Sequence, residues 1–365
     1  MSIVNDRAPY RAEAARLRAI FEAQGAVPVE PAILQPAEIM LDLYGEDIRA
    51  RAYVTSDPLR GEQMLRPDFT VPVVQMHMAQ GAEPARYTYA GEVFRRQEED
   101  PSRPSEYSQV GYEVFDGTDP AAADAEVYAL IESVVRPLRL KASTGDMGIL
   151  AATVSGLETT ERRKRALLRH IWRPRRFRAL IDKFSGKEPM AQPRRELLAA
   201  ADPFAGVKVD TGLRSRAEVA ERLDALREEA AAAPLSRDQV ELIEAVLNVR
   251  ETLPFALERL RDIAVDMPAL VPAVERVANR CAALDARGID VAGLDFEVAH
   301  GRAQMEYYDG FVFSFAVEGR PDLPPVAVGG RYDALTRVLG GGTEIPAVGG
   351  VIRPGLMLDL KEGRA

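Results

Sequence analysis

An α+β fold, with an antiparallel sheet flanked by helices, is what this sequence predicts, on three observations. Helical periodicity runs from Arg7 to Gln24. Short apolar runs punctuated by Pro and Gly follow, among them Arg86 to Phe94 and Tyr107 to Phe115. Strand texture then fades beyond about residue 150 and returns near the end of the chain, as expected of a sheet interrupted by a helical insertion.

In the first helix Ala14, Leu17, Ile20 and Phe21 share one stripe, and Gly25 supplies the left-handed residue that ends it. From Ala26 to Thr118 the runs suit antiparallel strands. Asp119-Pro120 opens a second helix, because Asp caps free amides and Pro fits a first turn; Val127, Leu130, Ile131 and Val134 form its buried stripe. Farther on, Ala, Leu, Arg and Glu dominate, and Arg216 to Ala233 and Asp238 to Leu260 read as helices. Strands resume at Leu294 to Val298, Gly310 to Val317, Val326 to Val328 and Ala347 to Val351. The expected division is therefore residues 1–145 as the first part of the sheet core, 146–290 as a mainly helical inserted lobe, and 291–365 as the second part of the core.

With 47 Lys and Arg against 56 Asp and Glu, the formal charge of -9 repels a polyphosphate backbone, so no nucleic-acid partner is expected. The opening Met-Ser-Ile-Val-Asn-Asp-Arg lacks the pattern of a secretory signal, no run is long enough to span a membrane, and Cys281 has no disulfide partner. A cytoplasmic home is the expectation. His77, His170 and His300 lie far apart, and Gly340-Gly341-Gly342 lacks the Lys and hydroxyl of a phosphate loop, so neither metal nor cofactor is expected. The arginine-rich run from Glu161 to Arg178, which holds Trp172, reads as a solvated helical face, with a surface for nucleic acid or for an acidic partner as the alternative.

Chemistry concentrates in three stretches: Leu65-Arg66-Pro67-Asp68-Phe69-Thr70, Gly91-Glu92-Val93-Phe94-Arg95, and Gln109-Val110-Gly111-Tyr112-Glu113-Val114-Phe115. Gln109, Gly111 and Glu113 share a strand face at period two. If the neighbouring strand segments pair, Asp68, Thr70, Gln109 and Glu113 point into one cavity, suited to a small amino-bearing or cationic ligand. The alternative is that they are sheet-edge polar groups satisfying the backbone.

These stretches resemble the second signature motif of class II aminoacyl-tRNA synthetases in its histidyl form. Tyr307-Tyr308-Asp309-Gly310-Phe311 resembles that family's histidine-recognition loop, and Gly329-Gly330-Arg331-Tyr332-Asp333 with Pro346-Ala347-Val348-Gly349 resembles the approach to the third motif. The resemblance implies a class II synthetase-like sheet. It also implies a histidine pocket in which Asp68, Thr70 and Gln109 hold the amino group, Glu113 and Tyr308 hold the imidazole, and Arg95, Tyr307 and Tyr332 complete the lining.

Departures from the synthetase pattern point to a silent member of the family. Leu-Arg-Pro-Asp-Phe-Thr is typical of the regulatory paralogue that partners the short catalytic subunit of ATP phosphoribosyltransferase. Adenylation needs preorganised cations, yet Ala303 stands where the loop's arginine belongs, with Arg302 adjacent as the one substitute. Ser105 replaces another phosphate-binding arginine. Leu356 occupies the third-motif arginine position and Gly355 that of its glutamate, while Arg353, three residues early, is expected to face elsewhere. The chain stops at Ala365, where a synthetase continues into an anticodon-binding domain, so none is expected. The resemblance thus implies no enzyme activity, a hetero-oligomer with the short catalytic subunit, self-association, and feedback by histidine in the first step of histidine biosynthesis. A residual histidine-activating ligase and a tRNA-binding regulatory module are the alternatives.

Overall fold

The computed structural model describes residues 7–44, 48–97, 103–205, 212, 214–302 and 307–364. Twelve strands lie among them: β1 (Val27–Pro28), β2 (Leu34–Pro36), β3 (Val54–Asp57), β4 (Gly61–Leu65), β5 (Ala85–Phe94), β6 (Glu106–Phe115), β7 (Lys141–Asp146), β8 (Arg250–Thr252), β9 (Asp295–Glu297), β10 (Phe311–Ala316), β11 (Ala327–Arg331) and β12 (Ala347–Ile352). Nine form one sheet in the order β1-β5-β6-β12-β11-β10-β7-β9-β8, while β2, β4 and β3 form a small one.

The expected antiparallel sheet is present from β5 through β7, with β1 on β5 and β9 on β7 added as parallel pairs toward its two ends. As expected, the late strands β10, β11 and β12 complete it by inserting between β6 and β7. Long-range pairing of this kind is dictated by buried faces: β10, β11 and most of β12 are buried and read as continuous apolar or glycine runs.

The helix Ala8–Ala23 buries Ala14, Leu17 and Phe21, and Gly25 takes φ +87° just after it. The helix Pro120–Val135 is capped by Asp119, whose carboxylate accepts from Ala122 N at 3.0 Å, and of the predicted stripe it buries Val127, Ile131 and Val134 and half-buries Leu130. Arg216–Ala231 is likewise helical, with Ser215 and Glu218 closing a reciprocal cap.

Two sequence readings need correction. Asp238 to Leu260 is two helices, Arg237–Leu247 and Leu253–Asp266, separated by β8. Pro254 explains the break, because a proline disfavours helix in the residue before it and starts a new helix readily in the first turn. Thr70 is not in a strand: it opens the helix Thr70–Gln80. Within 146–290, β8 rejoins the large sheet beside β9, and the helix Val271–Ala286 packs on Pro120–Val135. The helices Glu161–Arg169 and Pro174–Phe184 pack on each other.

In the basic run, Arg165, Arg175, Arg176 and Arg178 are exposed as expected, but Arg163 is buried, donating to Glu229 Oε1 at 2.8 Å and Ala233 O at 2.6 Å. That guanidinium ties two helical segments together. Among the described residues no helix is long and apolar enough to cross a membrane.

Candidate histidine-type pocket

Glu113, on β6, is buried and centres the site. Its Oε1 accepts from Thr70 Oγ1 at 3.0 Å and from Tyr89 OH at 2.7 Å, and its Oε2 accepts from Tyr332 OH at 2.6 Å. Burial pushes its carboxyl up to about 7, against the opposing pull of Tyr332, Tyr89 and Thr70. Two glycines make the room. Register sets Gly349 of β12 opposite Glu113 and Gly111 opposite Tyr89; a Cβ on the first would collide with the Glu113 carboxylate, and one on the second with the Tyr89 ring.

Asp68 lies in the turn between β4 and the helix Thr70–Gln80, with Oδ1 accepting from Val71 N at 3.2 Å, one of the amides a helix start leaves free. Burial pushes its carboxyl up, while Arg95 pulls the other way. Its Oδ2 and the Oε1 of buried Gln109 have no hydrogen-bond partner among the described residues. Thr70, which the resemblance assigns to the ligand's amino group, here donates to Glu113. Arg95 anchors the turn, its Nε donating to Pro67 O at 2.7 Å and its backbone N–H to Ser105 O at 2.8 Å.

Tyr308 is buried and Tyr307 half-buried, their rings meeting edge-on at 4.8 Å, with Tyr307 6.0 Å from the Tyr332 ring. Burial raises the Tyr308 phenol. A buried ionic network fixes these tyrosines. Asp309 accepts from the backbone N–H groups of Asp333 at 3.1 Å and Ala334 at 2.5 Å, which joins the Tyr308 turn to the Tyr332 turn. Arg331 donates to Asp124 at 2.7 Å and Asp333 at 3.0 Å, and Arg280 bridges Asp124 to Asp146.

The structure therefore brings Asp68, Thr70, Gln109, Glu113, Tyr308 and Tyr332 toward one buried cluster. Sequence reasoning missed Tyr89, which stacks on Phe69 at 4.3 Å and 8°; the alternation from Arg86 to Phe94 put it on a known face, but only the pairing to Gly111 points it at Glu113. Ala303 lies outside the described residues. Arg302, the adjacent candidate substitute, is buried: its Nε donates to Ile171 O at 2.7 Å, its guanidinium sits 4.9 Å from the Phe177 ring centre, and its Nη2 has no hydrogen-bond partner among the described residues. Burial lowers it to about 10. Arg353, expected to face elsewhere, instead stands before the helix Pro354–Lys361 with its guanidinium 5.6 Å from the Tyr107 ring centre. Among the described residues no group of three or more His, Cys, Asp or Glu side chains could hold a metal ion.

The family model for histidyl-tRNA synthetase matches residues 5–233 and 213–354. An ATP phosphoribosyltransferase regulatory subunit of Mesorhizobium japonicum is 33% identical over 374 residues, covering 93% of this chain and 95% of that protein. One of Agrobacterium fabrum is 33% identical over 351 residues, covering 90% and 91%. In fold, the chain is similar to an ATP phosphoribosyltransferase regulatory subunit/histidyl-tRNA synthetase from Bacillus halodurans, with a TM-score of 0.68 at 19% identity over 99% of this chain and 81% of the other. It is also similar to histidyl-tRNA synthetase from Nostoc sp. PCC 7120, with a TM-score of 0.63 at 17% identity over 98% and 72%. By its motifs in register and its full-length relatives, the chain belongs to the histidyl-tRNA synthetase family, among the ATP phosphoribosyltransferase regulatory subunits.

Proposed function

We propose that this chain is a non-catalytic regulatory subunit that senses histidine on behalf of a short catalytic ATP phosphoribosyltransferase subunit, at the first step of histidine biosynthesis. One observation carries the reading: a buried cluster whose unsatisfied atoms are acceptors, Asp68 Oδ2 and Gln109 Oε1, beside the Glu113 carboxylate. Buried acceptors without donors are costly. A ligand bringing an ammonium at one end and imidazole N–H at the other offsets that cost.

The chain itself performs no bond chemistry in this reading. Adenylation draws on fixed cations, and Arg302 is committed to Ile171 and Phe177 while position 356 is leucine. Histidine acts by binding one state of the assembly better than another. Self-association belongs to the same reading, with Leu34 and Val54 on the small sheet and Leu59 in the turn between β3 and β4 as exposed apolar side chains available to it. We place the complex in the cytoplasm, where the single half-buried Cys281 needs no disulfide partner.

The test is to mix the purified chain with a short catalytic subunit and follow phosphoribosyl-ATP formation. The mixture should be active where either protein alone is weak or silent, and added histidine should lower the rate. Absence of stimulation would sink the reading, and histidine-dependent exchange of pyrophosphate into ATP by this chain alone would replace it with a ligase.

A further inference from the structure

The histidine-type pocket makes no use of the arginine-rich run. Nine of the 18 residues from Glu161 to Arg178 are Lys or Arg and one is acidic, in a chain whose formal charge is -9. The rest of the chain is therefore more acidic than the whole, and the run is an island of opposite sign.

Packing decides which way these charges point. The helix Glu161–Arg169 turns Arg163 and Leu167 inward, and the helix Pro174–Phe184 turns Phe177, Ile181 and Phe184 inward. At 3.6 residues per turn the opposite faces carry Arg165 and Arg169 on the first helix and Arg175, Arg176 and Arg178 on the second, all exposed. Arg178 is paired with Glu244 at 3.0 Å, but among the described residues Arg165, Arg169, Arg175 and Arg176 pair with no carboxylate. Arg165 and Arg169 stand one turn apart, a like-charge spacing that weakens a helix. Burial pushes the His170 imidazole below its ordinary range, and the charges of Arg173, Arg169 and Arg176 push it the same way. Arginines from both helices thus crowd the turn that joins them. Acidic groups laid against such a face relieve the repulsion and steer the encounter.

The same turn is tied to the ligand pocket. Buried Arg302 donates from Nε to Ile171 O at 2.7 Å, within the turn, and its guanidinium lies 4.9 Å from the ring centre of Phe177 on the second helix. Tyr307 and Tyr308 of the pocket follow it closely in the chain. A protein that reports on a bound ligand needs its partner at a surface joined to the pocket, and this face has that connection.

We propose that the face formed by Arg165, Arg169, Arg175 and Arg176 docks an acidic surface of the short catalytic subunit. The inference rests on the regulatory reading given above and names the surface through which the two proteins meet. Nucleic acid fits this face less well. Its backbone would run beyond two short helices onto the acidic remainder of the chain, which repels it. The run also offers no free stacking platform, since Trp172 is half-buried and Phe177 buried. An acidic protein surface can end where the arginines end.

A single exposed ion pair is worth little, so the charges are reversed together. A chain carrying Arg165→Glu, Arg169→Glu and Arg176→Glu should bind the short catalytic subunit at least about tenfold more weakly, mainly through slower association, as read by surface plasmon resonance. Added salt should slow association of the unmodified chain and have much less effect on the reversed one. Glutamine at the same three positions should give an intermediate affinity, and melting temperatures should show both variants folded. Equal affinity and equal salt dependence in the folded, reversed chain overturn the docking face and leave the regulatory reading standing. Failure of the unmodified chain to bind the catalytic subunit removes both. Sedimentation showing that the reversed chain no longer self-associates would give the face to a second copy and overturn the proposal. So would transfer RNA that binds the unmodified chain and not the reversed one.

Discussion

Tyr332 donates its phenol proton to Glu113 Oε2 across 2.6 Å, although 219 residues separate the two in the chain. Both side chains are buried, so neither has water as an alternative partner. The bond joins the turn after β11 to the last third of β6, and the pocket depends on both ends being in place.

Removing that hydroxyl should therefore be costly. Tyr332→Phe leaves one carboxylate oxygen short of a donor and should lower stability by about 1–3 kcal/mol, measured as a shift in the urea midpoint at unchanged slope. It also strips a donor that favours the charged form, so the Glu113 carboxyl should rise further. An unchanged midpoint would mean that the oxygen finds another partner.

Glu113 gives stability a definite pH dependence. Its folded-state value of about 7 lies above that of an ordinary glutamate, so between roughly pH 4.5 and pH 7 the unfolded chain has released this proton while the folded chain keeps it. The unfolded state then binds fewer protons, and this group's contribution to stability falls as pH rises through that window and levels off above it. Glu113→Gln cannot titrate. The difference in unfolding free energy between the original chain and Glu113→Gln should slope downward from pH 4.5 to pH 7; a flat difference would place the carboxyl in its ordinary range.

Arg280 holds two buried carboxylates, Asp124 and Asp146, and stacks its guanidinium 4.3 Å from the Phe311 ring centre. Arg280→Leu strands Asp146 without a counter-ion and leaves Asp124 with Arg331 alone, and a loss of roughly 3–5 kcal/mol is expected. Thermal melting checks it. Asp124 retains Arg331, so a loss well below that range would show that Asp146 tolerates isolation.

Gly349→Ala tests the close approach of β12 to the pocket. The added methyl would occupy the space of the Glu113 carboxylate, so either the acid turns away or the strands part. Histidine affinity should fall at least about tenfold, in line with loss of a buried charge-assisted contact, with the far-ultraviolet circular dichroism spectrum unchanged. Full affinity in a folded variant would show that Glu113 is not the imidazole partner.

Much of the architecture was legible before any coordinates. Asp119-Pro120 announced a capped helix, the runs ending at Phe94 and Phe115 announced two paired strands, and Gly25 announced a helix end. These signals are local: period, cap chemistry and φ preference are carried by neighbours in the chain. The break before Pro254 was legible in principle too, since a proline four residues after Arg250 argues against one continuous helix. The site was legible only where side chains followed a strand's alternation, as with Gln109 and Glu113.

The sequence by itself determined the class of fold, the acid-rich motif blocks and the family, because these follow from residue types at fixed spacings. Only the tertiary structure decided that Tyr89, Thr70 and Tyr332 converge on one carboxylate, that Arg302 turns toward Phe177, and that Arg353 comes to rest beside Tyr107. Those outcomes depend on strand register and on which side chains compete for the same buried acceptors, and segments hundreds of residues apart meet only when the whole sheet closes.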